Sequence, residues 1–167
     1  MTHLVADLGY ADYDHLSQDQ DLYILHPEKK WQDVLDLAAK NKKKMEEGLD
    51  KALVAELNVI YADDQNGRLK DDELEGKYAW DSKERKALWA GIREKDSLNQ
   101  VKVKSIFQRY GWPPLAKIGE QGSYTLFLVI QHSDLKTQET YLPLMRKAVK
   151  DGNAQGKHLA LLEDRVA

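Results

Sequence analysis

Cysteine is absent from the 167 residues, which excludes disulfides, thiolate zinc sites, iron–sulfur clusters and a cysteine nucleophile together. Any metal would have to be held by histidine or carboxylates. Long apolar runs are missing too. The longest, Leu126-Phe127-Leu128-Val129-Ile130, is far short of the roughly 20 residues that cross a bilayer, so no membrane span is expected. Met1 to His15 holds neither a basic leader nor an apolar stretch, and no export signal is expected there. The missing thiols suit the cytoplasm, and equally the cell envelope or a secreted protein whose leader has been trimmed. Positive charge is not in excess: 25 Lys and Arg stand against 28 Asp and Glu, a net −3, so nucleic acid is not an expected partner. The one basic cluster, Lys40 to Lys44, reads as a solvated helix end that complements the helix dipole. Glycine-rich phosphate loops and a Gly-x-Ser-x-Gly elbow are also absent, which removes the familiar nucleotide kinases and serine hydrolases.

Ala, Glu, Lys, Leu and Arg dominate, and Val, Ile and Thr are few, a balance that favours helix. The expected fold is a single all-α domain of about six or seven helices, with residues 1–26 as a short helical appendage and 27–167 as the main body. From Pro27, residues Trp31, Val34, Leu35, Ala38 and Met45 recur at helical spacing to about residue 47. Asp50 can cap a second helix carrying Leu53, Leu57, Ile60 and Tyr61 and running to about Asp64 or beyond, and the polar stretch 66–80 reads as a loop or a broken turn. Asp81 with Glu84 resembles a capping box for a helix stopped by Gly111 and Pro113. Tyr124 to His132 reads as a buried helix. A further helix is capped by Asp134 and must be kinked or restarted by Pro143, and a last one spans about 157–167. In the appendage, Leu4, Leu8, Tyr13, Leu16 and Leu22 suggest one or two short helices.

Several polar residues sit where apolar stripes should continue. On the second helix Leu53, Leu57 and Ile60 lead, a turn at a time, into Asp64 and Arg68. Between Ile92 and Val103 the same face holds Asp96 and Asn99. His132 ends the most apolar segment, Gln138 lies between Leu135 and Leu142, and Asp164 and Arg165 follow Ala160 and Leu161 by one turn. Unpaired buried charge costs several kcal/mol, so such groups must find one another or face a cleft. Two readings stay open: an internal ion-pair network that pins helix to helix, or a pocket whose carboxylates orient His132 as acid or base beside an anion-receiving arginine.

Asp64-Gln65-x-x-Arg68, Asp96-x-x-Asn99, Tyr110-Gly111-Trp112-Pro113 with the following Gly119, Gln131-His132-Ser133-Asp134 and Asp164-Arg165-Val166 occur in this order. The set resembles an uncharacterised bacterial family, the domain of unknown function numbered six-six-two-four, over about residues 50–167. The resemblance brings no activity, substrate or fold. It implies a role beyond packing for His132, Asp164 and Arg165, because motifs spread along a chain commonly converge on one site. Members of that family often continue past the Asp-Arg-Val motif, so part of any site built there would be missing from this chain.

Other constellations are weaker. Residues 62–73 place Asp64, Asn66, Gly67, Leu69 and Glu73 at calcium-loop positions, but Ala62 stands where the first carboxylate belongs. That leaves a degenerate calcium loop as an outside alternative. No His-Glu-x-x-His occurs among the five histidines, and zinc would need His132 and His158 to converge in space. No metal or cofactor is expected. The expected function is a binding or interaction module whose polar pocket takes an anionic small ligand or peptide. Catalytic candidates are His132, Asp164 and Arg165; ligand-binding candidates are Asp64, Gln65, Arg68, Asp96, Asn99, Gln131 and Trp112. The alternative is a metal-independent hydrolase or group-transfer enzyme with His132 as general base and Arg68 or Arg165 stabilising the anion.

Overall fold

The computed structural model describes residues 9–167. Among them are seven α-helices, one 3-10 helix and no strand. The chain divides into two compact units between Leu49 and Asp50. Leu4 and Leu8, expected on short N-terminal helices, lie outside the described residues.

The first unit contains α1 (Tyr13–Gln18), a 3-10 helix (Gln20–Leu25) and α2 (Trp31–Glu47). Asp12 caps α1 by accepting from His15 N, and Asp19 caps the 3-10 turn by accepting from Asp21 N. Its small core is Leu16, Trp31, Val34 and Ala38, with His26 stacked on Trp31 at 5.2 Å. Pro27 does not open α2 as its position suggested. The helix begins at Trp31, after turns at 27–30.

The second unit is built from α3 (Lys51–Leu74), α4 (Lys83–Tyr110), α5 (Leu115–Gln131), α6 (Leu135–Lys150) and α7 (Gly156–Val166). Asp50 and Asp134 accept from Leu53 N and Thr137 N and so cap α3 and α6, as their spacing predicts. Ser82, rather than Asp81, caps α4, its hydroxyl accepting from Arg85 N at 3.2 Å. Gly111, at φ 64°, ends α4 in the left-handed region where a side chain would be strained. The most apolar segment is helix and forms the centre of the unit: α5 packs against α3, α4, α6 and α7. Its Ile118, Leu126 and Ile130 meet Leu57, Ile60, Ile106, Met145 and Leu162 in one core. Pro143 lies inside α6, which continues to Lys150.

One expectation fails with consequences for the site. Residues 66–74 are not loop but the last turns of α3. Gly67 is the reason a helix serves there, because a Cβ at that position would lie 2.6 Å from Ile92 Cγ1. Glycine weakens a helix locally, yet here it lets α3 and α4 approach closely, and packing outweighs propensity. The same helix removes the calcium loop at 62–73. A calcium loop wraps its ligands around an ion through a sharp turn, and these residues are held in successive helical turns instead.

Candidate functional site

The apolar stripe of α3 does run into charge. Leu53, Leu57, Ile60, Asp64 and Asp71 are its buried residues, one or two turns apart on one face. Asp64 is 1% exposed and its two oxygens are both occupied. Oδ1 lies 2.9 Å from His132 Nδ1 and 3.5 Å from Arg68 Nη1; Oδ2 accepts from Gln65 Nε2 at 2.7 Å. Burial pushes the carboxyl up, but the hydrogen bond and charge of His132, with Gln65 and Arg68, outweigh it and hold Asp64 below the ordinary carboxylate value. An ionised carboxylate can only accept, so Nδ1 carries the proton and donates it. Nε2 lies on the opposite edge of the ring. That nitrogen has no partner among the described residues.

Arg68 is spent inside the protein. Its Nη1 donates to Asp64 O at 2.6 Å and to Asp96 Oδ1 at 3.0 Å, and its Nη2 donates to Asp96 Oδ2 at 2.9 Å. This fork joins α3 to α4 with both nitrogens used. Asn99, fully buried on α4, donates to Ile60 O at 3.3 Å; its Oδ1 has no partner among the described residues. Gln138 on α6 donates to Gln131 O and Ser133 O at 3.0 and 2.9 Å. It satisfies carbonyls left free at the end of α5 and so holds the turn that carries His132.

These groups border a cleft of about 530 Å³ lined by Arg68, Arg93, Asp96, Gln131, His132 and Arg165, with Trp89 and Ser133. Arg93 and Arg165 make no ion pair among the described residues. Three guanidinium groups therefore stand near two carboxylates, and the cleft keeps net positive charge. Gln131 Oε1 is buried and has no hydrogen-bond partner among the described residues.

The structure thus brings Asp64, Gln65, Arg68, Asp96, Gln131, His132 and Arg165 to one place. Asn99 sits behind them in the core, and Asp164 is exposed and does not line the cleft. Trp112 does not line it either: buried, it stacks on Phe107 at 5.5 Å and donates to Ser123 Oγ at 3.1 Å. Ser123 in turn donates to Asn153 O at 2.7 Å, so Trp112 ties the α4–α5 turn to the α6–α7 loop. His158 stacks on Phe127 at 4.7 Å. Among the described residues no cluster of three or more His, Asp or Glu could hold a metal ion.

Sequence reasoning missed Arg93, Trp89 and the buried pair Asp71–Arg85. The signal was present: Arg85, Trp89 and Arg93 recur every four residues and share a face of α4. Arg85 Nε and Nη2 donate to the two oxygens of Asp71 at 2.8 and 2.7 Å. The Arg85 hydrogen bonds hold the Asp71 carboxyl below its usual range. Placing Asp71 in a loop hid its partner.

The chain matches the model of a family of unknown function, DUF6624, over residues 51–167. It belongs to that family. The match begins at the first residue of α3, so the DUF6624 segment contains α3 to α7 and every residue of the site. No curated protein and no solved structure matches the chain.

Proposed function

We propose that the DUF6624 domain of this chain binds a small anionic ligand in the cleft beside His132. The observation that carries this is the pair of uncompensated guanidinium groups, Arg93 and Arg165, lining one concavity with His132. Arg68 supports the reading by contrast. Its charge is consumed by Asp96 and Asp64, so it builds the wall while the other two arginines receive the anion. A ligand that binds only the folded state raises the melting temperature by mass action. Inorganic phosphate is expected to do so, and the shift is expected to vanish in the double variant Arg93→Ala, Arg165→Ala. It should persist in Arg109→Ala, whose guanidinium pairs on the surface with Glu56. A wild-type chain that shows no shift with phosphate, sulfate or acetate at tens of millimolar would remove the proposal.

A second reading rests on its own observation, the buried Asp64 carboxylate on Nδ1 of His132. A carboxylate on Nδ1 of a histidine that lines a cleft is the arrangement of a general base. Nε2 would take a proton from a water attacking a bound ester and return it to the departing oxygen. Under this reading His132→Ala keeps phosphate binding but loses turnover of an ester that the wild type hydrolyses. If His132→Ala only lowers the melting temperature, with binding and turnover unchanged, His132 is a structural partner of Asp64.

A further inference from the structure

A second cleft, of about 290 Å³, is lined by Trp80, Asp81, Lys86, Trp89 and Arg93. It shares Trp89 and Arg93 with the cleft beside His132, so the two clefts adjoin. Its chemistry differs. Trp80 is 64% exposed, so much of its ring is open to a ligand. The ring is nevertheless held: the Arg85 guanidinium lies over it at 4.8 Å, Trp89 meets it at 5.6 Å in an edge-on arrangement, and the Asp71 carboxylate fixes Arg85 from behind with two hydrogen bonds. A buried ion pair that steadies an exposed indole makes a platform for a flat ring. Asp81 and Lys86 add one acceptor and one donor at its border.

We propose that the ligand of this groove is a nucleoside monophosphate, its base on Trp80 between Asp81 and Lys86 and its phosphate between Arg93 and Arg165. This assignment rests on the anion-binding reading above and names its ligand class. Arg93, common to both clefts, joins the two halves of the ligand.

Calorimetric titration of the full chain with the common nucleoside 5′-monophosphates, phenyl phosphate and inorganic phosphate tests it. At least one nucleotide is expected to bind about tenfold or more tightly than inorganic phosphate, the worth of one base stacked on an aromatic ring. Trp80→Ala should erase that gain and leave inorganic phosphate affinity as it was, while Trp80→Phe keeps most of it; Arg93→Ala should weaken every probe. Inorganic phosphate bound as tightly as any nucleotide overturns the base subsite and leaves the anion site standing. Nucleotide affinity unchanged in Trp80→Ala does the same. Phenyl phosphate matching the nucleotides overturns the nucleoside assignment, and failure of every probe removes the anion site and this proposal together.

Discussion

The two halves of the α3–α4 pair are held by opposite means. Where α3 begins and α4 ends, Leu53, Leu57 and Ile60 lie in one apolar core with Val103, Ile106 and Phe107. Where α3 ends and α4 begins, the same helices are joined by Arg68 to Asp96 and by Asp71 to Arg85, with Asp64 reaching His132. Burying apolar surface is favourable without any particular geometry. Burying charge is tolerated only when each group meets a partner in good geometry. The apolar half therefore holds the helices together, and the charged half specifies where side chains point. Both clefts border the charged half.

The largest effect is expected from cutting the apolar half. Leu57→Ala removes a fully buried side chain and should cost about 2–5 kcal/mol in denaturant unfolding. A loss as small as that of a surface change would mean that the charged half carries the stability. In the charged half, Asp64→Asn should cost about 1–3 kcal/mol, since Arg68 and His132 are left with a weaker acceptor. Its pH dependence separates it from Leu57→Ala. The folded-state carboxyl is held below its ordinary value, so the stability it contributes is present above the unfolded pKa of about 3.9 and is lost as pH falls through the folded value. The difference between wild type and Asp64→Asn should therefore shrink below about pH 4, whereas the Leu57→Ala deficit keeps its size there. Equal deficits at pH 3 and pH 6 would show that the carboxylate charge does not stabilise the fold.

Within the charged half, Gly67→Ala should cost about 1–3 kcal/mol by overpacking against Ile92, despite alanine's better helix propensity. A more stable variant in thermal melts would show that the helices can separate without loss. The smallest effect on stability belongs to Arg93→Ala. An exposed side chain with no ion pair should change unfolding by less than about 0.5 kcal/mol, while calorimetry detects the lost anion. A large destabilisation would make Arg93 part of the wall.

How much of this was legible varies by element. The helical composition, the caps at Asp50 and Asp134 and the apolar stripe of α5 were readable because each depends on residues a few positions apart. The stop of α3 was not. Asn66-Gly67 followed by Lys70, Asp71 and Asp72 reads locally as a turn, yet the segment is helix, with Gly67 against Ile92 and Asp71 bound to Arg85. Asp64 and Arg68 announced themselves by interrupting an apolar period, but their partners did not. Asp96 and Asn99 share a face of α4, yet Asp96 is bound to Arg68 and Asn99 to Ile60 O.

Local spacing, helix propensity and composition were enough to settle that the chain is helical and which residues were out of place in its stripes, because those properties act within a few turns. Which charged groups meet, which arginines stay uncompensated and where the clefts open was decided by the packing of α3, α4, α5 and α7. Those pairings join residues such as Asp64 and His132, 68 positions apart. No periodicity in one dimension encodes the distance between them.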